Sequence, residues 1–131
     1  MVLVAGGTGG SDSIVVRLGL GDGTFGPAQG YESGADPFGV TLADFNHDGK
    51  LDIAAADYGA GSVSVFLGAG DGTFGARSQY RMGAGANVDA VVVADFDRDG
   101  NLDIATPAYD GPIVRRGRGD GTFLRQQDVS R

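Results

Sequence analysis

Asp44, Asn46, Asp48 and Asp52 occupy positions 1, 3, 5 and 9 of one short stretch, and Asp95, Asp97, Asp99 and Asp103 repeat the spacing with a carboxylate at all four places. Oxygen-bearing side chains at alternate residues can wrap a cation in a tight turn, because the intervening side chains point away. Gly49 and Gly100 stand at position 6 of each loop, where the chain must bend sharply with no Cβ in the way. Calcium takes about six to eight hard oxygen ligands in a flexible geometry, and such a turn offers them. The expected ligands of the first loop are Asp44, Asn46, Asp48, the Lys50 carbonyl and Asp52. Those of the second are Asp95, Asp97, Asp99, the Asn101 carbonyl and Asp103. This gives two Ca²⁺ per chain, held more tightly in the second loop, where four carboxylates would repel one another without a cation.

Other metals fit less well. Magnesium demands a compact octahedron and keeps its waters. Zinc prefers thiolates and imidazoles, and the chain has no cysteine and one histidine. Neither loop is an EF-hand, since the bidentate glutamate due at position 12 is replaced by Ala55 and Thr106.

Little else is equipped for chemistry. His47 has Arg98 as its counterpart in the second loop and is expected to be a solvent-exposed bystander. With no second histidine and no recognisable nucleophile–base pair, the chain is not expected to be an enzyme. Tyr31 and Tyr80 recur 49 residues apart and are read as packing residues, with sugar or peptide contact between repeats as the alternative. Arg115, Arg116 and Arg118 form the one basic cluster, a solvated edge or a surface that meets acidic groups on a neighbouring repeat.

The elements that position the loops follow from internal repetition. Gly-Asp-Gly-Thr-Phe begins at Gly21, Gly70 and Gly119, a constant spacing of 49 residues. Each copy follows a strand-like run, and Asp22, Asp71 and Asp120 within it are read as hairpin formers because Asp-Gly suits primed turns. The two Asp loops are 51 residues apart, so two residues are inserted before the second loop and two deleted after it. One repeat then reads as strand A (40–44), the Asp loop, strand B (51–56), strand C (62–68), the Gly-Asp-Gly-Thr turn and strand D (77–82). A four-stranded unit of this length is one propeller blade.

The expected fold is therefore all-β, with about three blades of four antiparallel strands. They are a partial blade at 1–34 without its first strand, a second at 35–84 and a third at 85–131, the last closing on a strand near 124–129. Val4 falls on Ile53 at the 49-residue offset. The apolar run 91–94 reads as an inner strand covered on both faces.

The 25 glycines of 131 residues, without a three-residue period, agree with many tight turns. Acid is almost all aspartate, with Glu32 the lone glutamate, which disfavours helices. A formal charge of −7 argues against nucleic acid or an anionic membrane as partner, and no apolar run is long enough for membrane insertion. The first residues lack the features of a signal peptide.

The Asp-Phe-Asn-His-Asp-Gly-Lys-Leu-Asp-Ile loop, followed by Val-Phe-Leu-Gly-x-Gly-Asp-Gly-Thr-Phe, resembles the FG-GAP/VCBS-type repeat of integrin α-subunit heads and of bacterial and fungal propeller lectins. The resemblance covers nearly the whole chain. It implies a propeller fold, calcium in the A–B loop on the ten residues named, and an extracellular or cell-surface setting. It departs from the family in having fewer blades and no Asp loop in the first. The expected function is a calcium-stabilised, non-catalytic module for extracellular binding or adhesion that assembles into a closed ring, with copies of itself or as part of a longer propeller. The alternatives are a lectin holding carbohydrate between blades, or an accessory segment of a secreted polysaccharide-acting enzyme; a protein ligand is equally compatible.

Overall fold

The computed structural model describes residues 2–6, 13–83, 88–108 and 111–125, the first of these as backbone only. Its strands are β1 (Val2–Gly6), β2 (Ser13–Leu18), β3 (Gln29–Glu32), β4 (Pro37–Ala43), β5 (Asp52–Asp57), β6 (Ser62–Phe66), β7 (Ser78–Arg81), β8 (Val92–Ala94), β9 (Asp103–Thr106) and β10 (Ile113–Arg115). They form three antiparallel meanders, β1-β2-β3, β4-β5-β6-β7 and β8-β9-β10, with no helix among the described residues. The architecture is all-β and blade-like. The closing strand expected near 124–129 falls mostly outside the described residues, as does the two-residue insertion expected before the second Asp loop.

Alternation along the strands of the second sheet decides how the sheets stack. Ile53, Ala55 and Phe66 join Ile14 and Val16 of the first sheet in one cluster. Ala54, Ala56, Val63 and Val65 point the other way, into a second cluster with Ile104, Ile113 and Phe123 of the third sheet. The second sheet is thus apolar on both faces because it is sandwiched, and β5 and β6 are buried throughout. Small alanines in β5 let the sheets approach closely.

Two expectations need correction. Leu3, not Val4, holds the register of Ile53: Leu3 pairs with Arg17 as Ile53 pairs with Phe66, and one extra residue in the β1–β2 connection absorbs the offset. The run 91–94 is not covered on both faces either. Val93 faces the second sheet, but Val92 is 53% exposed, because none of the described residues stacks on it from the outer face of the third sheet.

A polar knot joins the first two sheets at the end opposite the Asp loops. Asp57 is fully buried and accepts hydrogen bonds from the hydroxyls of Ser33 (2.6 Å), Ser64 (2.5 Å) and Ser62 (3.3 Å). The Gln79 amide donates to Ser62 Oγ, and Arg77 donates to the Ser33 carbonyl. Gly34 is required beside it, since a Cβ there would lie 2.5 Å from Asp57 Oδ2.

Candidate metal centre

Each Asp loop links two neighbouring strands at the same end of its sheet: β4 and β5 in the second sheet, β8 and β9 in the third. The backbone bends alike in both, with left-handed residues at position 4 (His47 φ 59°, Arg98 φ 61°) and at position 6 (Gly49 φ 79°, Gly100 φ 89°). Asp at position 1 pins the turn: Asp44 Oδ2 accepts from Gly49 N–H (2.9 Å) and Asp95 Oδ2 from Gly100 N–H (2.8 Å). Asp at position 5 caps position 7, with Asp48 accepting from Lys50 N–H and Asp99 from Asn101 N–H, both at 2.9 Å. These bonds turn positions 1, 3 and 5 toward a common point.

In the second loop, carboxylate oxygens of Asp95, Asp97 and Asp99 all lie within 4.8 Å of one another. The loop's electrostatics show the strain of that convergence. The Asp97 carboxyl is pushed up by partial desolvation, by the charge of Asp103 and by Asp99. Its neighbour Asp99 is held down, chiefly by the Asn101 N–H. The guanidinium of Arg116, 3.4 Å from Asp97 Oδ2, offsets part of the repulsion, as one partly exposed ion pair.

In the first loop the Asn46 amide sits between Asp44 Oδ1 and Asp48 Oδ1, at 3.0 and 2.9 Å. With its nitrogen inward, the amide donates to both carboxylates; with its oxygen inward, three oxygens face one point, as a cation requires. For Asp44, desolvation pushes the carboxyl up, but the N–H groups of Gly49, Asp48 and Asn46 outweigh it and leave it lowered. Both donor sets consist of hard oxygens and fit Ca²⁺ better than a metal that seeks nitrogen or sulfur.

Asp52 and Asp103, at position 9, are placed differently. Both are fully buried. Asp52 accepts from Phe45 N–H and Gly68 N–H, each at 2.8 Å, and Asp103 from Phe96 N–H and Gly117 N–H, each at 2.8 Å. Each thus ties its loop to the chain leaving strand C, and each oxygen keeps a second lone pair. Burial pushes the Asp52 carboxyl up, the two N–H donors pull it down, and the charges of Asp48 and Asp44 add to the rise. This bracket needs Gly68 and Gly117, where a Cβ would lie 2.0 Å from the carbonyl oxygens of Leu51 and Leu102. Sequence reasoning missed these glycines and the Asp57 knot; the signal was an aspartate ending an apolar strand opposite two serines.

The remaining singled-out residues find their places. His47 is exposed, yet its Nε2 lies 3.1 Å from Asn101 Oδ1, so it links the two loops rather than standing alone. Tyr31 packs edge-on against Phe66 and Phe74, and Tyr80 against Phe123, with Arg115 over its ring. In the Gly-Asp-Gly-Thr-Phe turns, the left-handed residues are the glycines on either side of the aspartate, so Asp-Gly is not the centre of a doubly left-handed hairpin turn. Asp22, Asp71 and Asp120 instead accept from both the N–H and the hydroxyl of Thr24, Thr73 and Thr122.

Comparison with known proteins agrees with this geometry. The model of the FG-GAP-like repeat family matches residues 2–55 and again 44–106, together most of the chain. A search of curated proteins returned no match.

Proposed function

This chain belongs to the FG-GAP-like repeat family, and on that premise we propose that it is a calcium-stabilised, non-catalytic propeller module that serves binding or adhesion outside the cell. The observation that carries the reading is the convergence of Asp95, Asp97 and Asp99, echoed by Asp44, Asn46 and Asp48. Calcium bound there would join strands A and B of the second and third blades and neutralise carboxylates that now oppose one another. It supplies charge neutralisation and cross-linking; this chain's own N–H groups and glycines supply the shape. Two bound ions would bring the formal charge from −7 to −3.

A binding role also needs an exposed contact surface. Phe38 and Tyr58, both exposed with ring centroids 6.2 Å apart, offer one at the end of the second sheet opposite the Asp loops. Family repeats are typical of extracellular proteins, which supports the location and a supply of millimolar calcium. Extracellular calcium modules bind with Kd of about 10⁻⁴–10⁻³ M. At a hundredfold excess over Kd, one site adds about 2.7 kcal/mol. Thermal unfolding in calcium and in EDTA tests this: the melting temperature should rise with calcium and fall back on chelation. A melting curve indifferent to both would refute it.

A further inference from the structure

We propose that the outer face of the third sheet is a docking surface for the first sheet of a second copy of this chain, joined head to tail. The two seams inside the chain define what such a joint requires. At the first seam, Leu18 lies against Gly72 and Phe74 packs edge-on against Tyr31, ring centroids 5.8 Å apart. At the second, Leu67 lies against Gly121 and Phe123 packs against Tyr80 at 5.2 Å. There the Asp-loop phenylalanine Phe45 is also driven home, 1% exposed and 5.3 Å from Phe123.

Among the described residues, one half of such a joint is exposed on each of the two outer sheets. On the outer face of the third sheet, Phe96 holds the loop position of Phe45 but is 48% exposed, and Val92 is exposed as well. On the first sheet, Phe25 holds the turn position of Phe74 and Phe123 but is 39% exposed. These faces complement each other and not themselves, so association would be heterologous. Continuing the register, Phe25 of a second copy meets Phe96 as Phe123 meets Phe45.

Charge selects the same pairing. Arg116 takes the place held by Leu18 and Leu67, the residue that covers the next sheet's Gly-Asp-Gly turn. In the joint it would cover Gly23, with Asp22 adjacent. Its alkyl stem fills the leucine's role and its guanidinium, already beside Asp97, reaches a second carboxylate. A leucine would serve a neutral seam; an arginine suits one in which the turn's aspartate must be met.

Sedimentation velocity over a concentration series in millimolar calcium tests the proposal. The wild type should gain mass with concentration, while Phe25→Glu and Phe96→Glu each stay monomeric. An equimolar mixture of the two should give a 1:1 dimer and nothing larger, because each variant keeps one intact face. That outcome also shows both variants are folded. Arg116→Asp should weaken association about tenfold, and mixing with Asp22→Arg should restore it. A wild type that is monomeric throughout, Glu variants that assemble like the wild type, or a mixture that stays monomeric would each overturn the proposal. Calcium binding is read separately on the same samples, so its loss would point to failure of the metal reading and not of this one.

Discussion

Replacing Asp52 separates two jobs that one carboxylate can hold, metal ligand and backbone bracket. Its oxygens accept from Phe45 N–H and Gly68 N–H at 2.8 Å, and the side chain is fully buried. A buried N–H left without an acceptor costs about 1–3 kcal/mol. Asp52→Ala strands both donors and should cost about 4 kcal/mol; Asp52→Asn keeps one acceptor and should cost about 2 kcal/mol. Since burial pushes the Asp52 carboxyl up, the acceptors and not the charge carry this stability. Urea unfolding in EDTA isolates the bracket from any metal. With a slope near 2 kcal/mol/M, the midpoints should fall by about 2 M for Ala and about 1 M for Asn. Asp97→Asn is the contrasting control: it removes one of three facing carboxylates, so the EDTA midpoint should hold or rise while calcium affinity drops. If both Asp52 variants leave the EDTA midpoint unchanged, the bracket argument fails and Asp52 matters only through metal.

Three further outcomes follow from the geometry. Gly68→Ala should cost at least about 2 kcal/mol in the same urea assay, because its Cβ would meet the Leu51 carbonyl oxygen at 2.0 Å and neither backbone segment can yield cheaply. Phe45→Ala should cost about 3–5 kcal/mol and Phe96→Ala, at the same loop position but half-exposed, far less; equal losses would contradict the stacking described. Thr73→Val removes the donor that most lowers the Asp71 carboxyl, so its titration followed by NMR should move up toward the ordinary aspartate value. An aspartate lowered by folding stabilises above its unfolded pKa and loses that contribution as pH falls through the folded value. Acid unfolding of the variant should therefore begin at higher pH.

Much of the fold was legible because the chain states it repeatedly. The constant spacing of the Gly-Asp-Gly-Thr-Phe turns located β2, β6 and β10, the strand-like run that precedes each copy. The Asp loops were legible because alternation of oxygen side chains around a glycine has few other uses. What stayed hidden depends on neighbours distant in sequence. Asp52 and Asp103 read as plain ligands because their N–H donors, Gly68 and Gly117, lie on the far side of strands B and C. The exposure of Val92 depends on what stacks on the outer face of the third sheet, which an apolar run cannot report. Tyr31 and Tyr80 were ambiguous by type alone, and only their edge-on contacts with Phe74 and Phe123 assign them to packing. The one-residue register difference at Leu3 arises in the connection, where length is weakly constrained.

The central claim is that both Asp loops hold calcium, and isothermal titration of the EDTA-stripped, dialysed chain tests it most directly. The account predicts two ions per chain, with the four-carboxylate loop filling first until Asp97→Asn, which gives that loop the donor set of the first, removes the preference. Heats indistinguishable from buffer in millimolar calcium, a stoichiometry of one, or two unequal sites that the Asp97 substitution leaves unchanged, would contradict it.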